Sequence, residues 1–191
     1  NGQNIMAINS DFNILGDLNI DENAELIFDL SNGAVLTFGM YYEGTTPQWD
    51  VGTPQGYTLT MPKTSTIRFR GNGTVRFADG SQIICNGSTF ASAVSIENPR
   101  MFNDDRPELV VEEYAQLVVT DHHRLTIKGR GKVNVTTNGE INVGDGMLTL
   151  GTSDSDYFDF NVTRQGAIRA SVPRSLVSAR YTLEARCIFN N

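Results

Sequence analysis

Residues 107–146 read PELVVEEY, AQLVVTDH, HRLTIKGR, GKVNVTTN, GEINVGDG when written in eights. Each octet carries two apolar residues, one residue apart, at the same two positions: Leu109/Val111, Leu117/Val119, Leu125/Ile127, Val133/Val135 and Ile141/Val143. Alternation with period two puts both side chains of a pair on one face of a short strand. The other positions are rich in Gly, Asn, Asp, Thr and Ser, which supply the positive φ and the side-chain-to-backbone hydrogen bonds of a bend. The stretch therefore predicts strand, bend, strand, bend. Nowhere does helical spacing compete with it.

The same unit runs from Tyr57 as YTLTMPKT, STIRFRGN, GTVRFADG and SQIICNGS, with pairs Leu59/Met61, Ile67/Phe69, Val75/Phe77 and Ile83/Cys85. Leu148/Leu150 follows the later run at a spacing of seven, and weaker members are Leu18/Ile20, Leu26/Phe28, Leu36/Phe38, Val94/Ile96, Phe158/Phe160 and Ile168/Ala170. One octet cannot bury its own apolar face. Octets stacked at ~4.8 Å per layer share a continuous core. The reading is an all-β chain, a single-chain parallel β-solenoid of triangular section with three octets, about 24 residues, per coil. Two other architectures share the period: three chains interleaved around one axis, and an antiparallel β-sandwich.

The solenoid is expected over residues 1–170, interrupted at about 39–56, 97–106 and 151–157. Residues 171–191 depart from the octet. There Val177, Ala179, Tyr181, Leu183, Ala185, Cys187 and Phe189 alternate with polar residues, which predicts a long strand capping the open end of the sheet or pairing with another subunit.

Composition narrows the function. The chain has 191 residues, 15 basic against 22 acidic, a net charge of −7. That balance argues against nucleic acid as partner, since a phosphate backbone calls for a basic patch, and against docking on an anionic membrane. No apolar run approaches the ~18 residues of a membrane helix, so no membrane insertion is expected. Cys85 and Cys187, the two cysteines, make no metal site by themselves and leave the disulfide state open.

The interruptions hold the candidate site residues. Gly39–Gly56 carries Tyr41, Tyr42, Glu43, Trp49 and Asp50. Flat aromatic faces stack on sugar rings, and carboxylates beside them accept hydroxyl hydrogen bonds, so these five are the expected ligand-binding residues; a subunit contact would use the same aromatics. Asp154, Asp156 and Asp159 give three of the six to eight oxygens that Ca²⁺ takes, without the glycine and terminal Glu of an EF-hand. Calcium is the one ion they suit, and no cofactor is otherwise expected. Asp104, Asp105 and Arg106 near Arg100 read as a charged loop, because opposed glycosidase acids need ~5–10 Å between them. His122 and His123 read as corner residues without metal-ligand spacing. Arg68, Arg70 and Arg76, on outward positions, either grip an acidic glycan or simply solubilise the wall.

Taken together, the octets of Leu59–Cys85 and Leu109–Leu150, with the Leu18–Phe38 segment, resemble the parallel β-helix and β-solenoid modules of phage tailspikes, tail fibres and bacterial surface adhesins. The likeness is one of architecture, and no catalytic or binding residue carries over by position. It implies an extracellular, cell-surface or virion-associated module, non-enzymatic, that binds a surface glycan or protein receptor or spaces other parts of an assembly. A glycan-cleaving β-helix lyase or hydrolase is the alternative, since coils can gather acids that no local motif reveals. A self-assembling spike or filament subunit, as homotrimer or by end-to-end association, is a third.

Overall fold

A computed structural model describes residues 3–39, 56–88, 105–119, 123–144, 146–153, 156–162, 165–170 and 176–179. Among these the chain is all-β, with no helix, and its strands lie parallel in curled sheets. The early strands are β1 (Gln3–Ala7), β2 (Phe12–Ile14), β3 (Leu18–Asn19), β4 (Glu25–Asp29), β5 (Val35–Phe38) and β6 (Thr58–Met61). Next come β7 (Thr66–Arg70), β8 (Thr74–Phe77), β9 (Ser81–Asn86), β10 (Glu108–Val111), β11 (Gln116–Val118) and β12 (Arg124–Val135). The last are β13 (Glu140–Gly144), β14 (Met147–Leu150), β15 (Tyr157–Val162), β16 (Ala167–Ala170) and β17 (Leu176–Ala179).

Every described pairing is parallel, unlike the antiparallel ladder of a sandwich. The strands fall into three rows. One runs β1, β4, β7, β10, β12, β15; a second runs β2, β5, β8, β11, β13, β16; a third runs β3, β6, β9, β12, β14, β17. β12 belongs to two rows. Its first half lies beside β9 and β14, its second half beside β10 and β15. Undisturbed steps are 24 residues long: Phe12 lies beside Leu36, Leu59 beside Ile83, Leu109 beside Val133, and Leu117 beside Ile141.

The octet pairs form the core. Leu59, Met61, Ile67, Phe69, Val75, Phe77, Ile83, Cys85, Leu109, Val111, Leu117, Val119, Leu125, Ile127, Val133, Val135, Ile141, Val143, Leu148 and Leu150 are all buried in one cluster. Each such side chain contributes ~1.5–3 kcal/mol relative to exposure. Four phenylalanines thicken the cluster: Phe28 stacks on Phe69 at 5.5 Å and Phe38 on Phe77 at 4.6 Å, with edge contacts between the two stacks.

The bends are four-residue turns closed by a backbone bond. Gly33 N–H donates to Leu30, Ala115 to Glu112, Gly139 to Thr136, and Gly146 to Val143. Neighbouring layers repeat the geometry even where the sequence changes. Glu113 and Tyr114 take positive φ in one layer, Thr137 and Asn138 in the next, and Glu113 N–H donates to Thr137 O across the step. At one junction of rows a glycine stands in place of a turn. β12 passes from one row to the other at Gly129, whose φ is +91° and whose Cβ, if present, would strike the Cys85 carbonyl.

Candidate functional site

Tyr41, Tyr42, Glu43, Trp49 and Asp50 lie outside the described residues, and what the structure adds is where their segment is anchored. The segment falls between β5, in the second row, and β6, in the third. Gly39 donates its N–H to Ile14 O at 2.8 Å and lies against the Tyr57 ring, so the two ends of the segment touch. At the return, Gly56 backs onto the Gly80 carbonyl with no space for a side chain, and Tyr57 N–H donates to Ser81 Oγ.

The second interruption is pinched in the same manner at a different corner. Ser88 N–H donates to Asp105 Oδ1 at 2.9 Å, closing the segment at its base. Asp105 also pairs with Lys63 at 3.5 Å, and its carbonyl accepts from Thr64 N–H. Its carboxyl is held below the usual carboxylate range, first by Ser88 and then by Lys63. Asp104 and Arg100 lie outside the described residues. Arg106 turns inward, its side chain only 7% exposed, and pairs with Asp159 Oδ2 at 2.6 Å.

The third interruption falls at this same corner, between the third row and the first, and Tyr157, its expected last residue, is instead the first residue of β15, beside Arg130. Asp156 organises it. Oδ2 accepts from Thr152 N–H, Ser153 N–H and the Thr152 hydroxyl, while Oδ1 accepts from Gly129 N–H at 3.0 Å. Burial raises the pKa of this carboxyl, but the backbone donors outweigh it and hold the group below its ordinary value. Asp154 is outside the described residues. Of the calcium candidates, then, Asp156 is engaged by its own turn and Asp159 by Arg106, and the two face different partners. Among the described residues no group of three or more His, Cys, Asp or Glu is placed to hold a metal.

The outward arginines are engaged within the chain. Arg68 bridges Glu25 and Glu112 at 3.3 and 3.1 Å, and Arg70 pairs with Asp29 at 3.0 Å. Arg124 grips Asp79 through two guanidinium nitrogens and its own backbone N–H. A pattern that the octets did not announce is the use of corner aspartates as staples between layers: Asp11 accepts from Val35 N–H, Asp17 from Thr58 N–H, Asp79 from Arg124 N–H. The signal lay in Asp at the bends. Which N–H each would take depends on which octet stacks beside it.

Cys85 is buried against Gly131, whose missing side chain leaves room for the sulfur. Burial, with Asp156 nearby, pushes its thiol up to about 12, which makes it a poor nucleophile. Cys187 and His122 lie outside the described residues; the His123 carbonyl accepts from Met147 N–H as part of the ladder. The parallel strands in curled sheets are as far as the resemblance to tailspike and adhesin modules extends. Comparison with protein families, with curated proteins and with solved structures gives no match.

Proposed function

We propose that the chain coils as a single-chain, three-walled β-solenoid. It serves as a non-enzymatic module outside the cell, on a cell surface or a virion, that holds binding segments on a rigid spacer. The observation that carries this reading is the constancy of the pairing. From β1 to β17 each strand lies beside the strand three places on, with β12 counted twice. Six layers at ~4.8 Å give a wall on the order of 25 Å tall. Core contacts run layer to layer, which makes the stack stiff along its axis. The closed bases at Gly39/Tyr57 and Ser88/Asp105 favour presentation of long segments without disturbance of the wall.

The ligand assigned to the Gly39–Gly56 segment is a surface glycan, stacked on Trp49, Tyr41 and Tyr42 and hydrogen-bonded by Glu43 and Asp50. A glycan array with product analysis tests this, run on the parent chain and on Trp49→Ala. Binding that Trp49→Ala loses at unchanged thermal stability supports it. Shortened glycan products would replace it with a lyase or hydrolase, and the absence of any ligand would leave spacing alone as the function. Small-angle scattering tests the coil itself, which requires a compact prism and not an open half-barrel.

A further inference from the structure

We propose that Asn72 is a site of self-modification. Its side-chain amide is lost by reaction with the backbone of Gly73, which leaves aspartate and isoaspartate at one corner of the stack.

The chemistry needs an asparagine followed by an N–H that is free to attack. Glycine suits the second place best, because it has no side chain to block the approach. The Gly73 nitrogen gives up its proton and bonds to Asn72 Cγ. The Cγ–Nδ2 bond breaks and ammonia leaves, its third hydrogen made up by that proton, so a five-membered imide closes. Water then opens the imide at either carbonyl. One opening gives aspartate. The other gives isoaspartate, whose main chain runs through the former side chain and is one carbon longer.

Asn–Gly occurs at Asn32–Gly33, Asn72–Gly73, Asn86–Gly87 and Asn138–Gly139 among the described residues. Three of these pairs are held. Gly33 N–H donates to Leu30 O at 3.0 Å, Gly87 N–H to Arg130 O at 3.1 Å and Gly139 N–H to Thr136 O at 2.8 Å. Asn32 is tied a second time, its amide donating to Asn9 Oδ1 at 2.7 Å.

At Asn72 neither partner is held. Among the described residues nothing accepts from Gly73 N–H, and no hydrogen bond takes the exposed Asn72 amide, which lies beside Gly33. The cause is the length of this corner. Bends in neighbouring layers, at 30–34, 112–115 and 136–139, are long enough to close on themselves. Here only Gly71, Asn72 and Gly73 connect β7 to β8, and the Arg70 carbonyl accepts from Leu30 N–H in the layer before. A glycine on each side leaves the backbone at Asn72 the freedom that ring closure demands.

The two products differ in what they do to the fold. Aspartate keeps the main chain as it is. Isoaspartate lengthens the shortest of these bends, where Gly71 abuts Ser31 N and Gly73 abuts Ala34 O with no room even for a Cβ. Gly73 O is also the acceptor for Gln116 N–H in the following layer. Isoaspartate therefore loosens the stack between β5, β8 and β11.

Prolonged incubation of the folded chain at pH 8, followed by peptide mapping by mass, tests this. Trypsin releases residues 71–76 as one peptide, which isolates Asn72 from the other three sites. Asn72 should convert from amide to acid roughly tenfold faster than Asn32, Asn86 or Asn138, the margin that release from a hydrogen bond gives an N–H. In urea, where all four are free, the rates should be alike. Hydrogen exchange gives an independent reading, since Gly73 N–H should exchange faster than those of Gly33, Gly87 and Gly139. Asn32, Asn86 or Asn138 converting as fast as Asn72 in the folded chain, the same bias persisting in urea, or a Gly73 N–H as protected as the others overturns the proposal. Asn72→Ser should keep its melting point through the incubation while that of the parent falls. A parent that accumulates isoaspartate and melts unchanged would overturn the loosening at this corner.

Discussion

Leu117→Ala is the sharpest probe of the layered core. Leu117 has no exposed surface and sits in β11, in register with Val75 on one side and Ile141 on the other, both equally buried. Truncation removes three carbons from a position that has layers above and below, so little can collapse into the gap. Buried Leu→Ala changes cost ~2–5 kcal/mol, with the upper part of the range where the site cannot relax. For a chain of this length 1 kcal/mol moves the melting point by ~2–4 °C, which gives a fall of ~4–20 °C. Gln116→Ala is the internal control, one residue away on the exposed face of the same strand, where substitutions stay within ~0.5 kcal/mol. Urea unfolding should show the midpoint of Leu117→Ala falling at unchanged slope if all layers unfold as one. A shallower slope would mean that the layers on either side of β11 come apart separately, as a one-dimensional stack permits. If the two variants unfold at the same urea concentration, Leu117 does not face a packed interior and the inward-pair account of the octet is wrong.

Acid should destabilise the fold. Asp29, Asp79, Asp105 and Asp156 all have folded-state pKa values below the ordinary carboxylate value of 3.8, through Ser31 and Arg70, Arg124, Ser88 and Lys63, and the 152–153 backbone respectively. A lowered folded value contributes stability above the unfolded pKa and loses it as pH falls through the folded one, so the urea midpoint should hold flat from pH 7 to about 5 and drop below about 4; a midpoint unchanged at pH 3 would contradict the staple role of these groups. Cys85, with its thiol at about 12, should resist a thiol reagent at pH 8 in a Cys187→Ser background and react fully in urea, and rapid native labelling would place it at the surface. Gly129→Val should lower the melting point by several degrees, since positive φ and the Cys85 carbonyl both oppose a side chain there, whereas Lys128→Val next to it should not.

The inward pairs were legible because an octet is a local statement: two apolar residues and a bend announce which face is hidden, whatever stacks beside it. The parallel rows and the 24-residue step follow from that unit. The polar architecture was not legible, for the opposite reason. Arg68 meets Glu25 across 43 residues and Arg124 meets Asp79 across 45, distances set by how many residues each interruption contains. An arginine destined for an internal ion pair looks, in sequence, the same as one offered to a ligand. The octets predict two strands with a bend over 124–135, and Gly129 and Gly131 let β12 run on as one, a choice that depends on Cys85 lying close by. Asp156 and Asp159, three residues apart in an oxygen-rich run, take different partners, because alternation and the turn at 151–156 aim them at Gly129 and at Arg106.

The unequal steps between layers have a consequence for how such a chain can change. Phe12 to Leu36 is 24 residues, while Val75 to Leu117, the same single step of the stack, is 42. Growing a bend of about four residues to about twenty adds a little over two doublings of loop length, ~1.5 kcal/mol of closure entropy. That is less than the cost of hollowing out one buried leucine. Length at the corners is therefore nearly neutral while shape along the inward rows is held tightly. Descendants of this chain should diverge by insertion and deletion after Gly39 and after Ser88 long before they diverge at Leu117, and a foreign peptide grafted at either place should leave the wall standing.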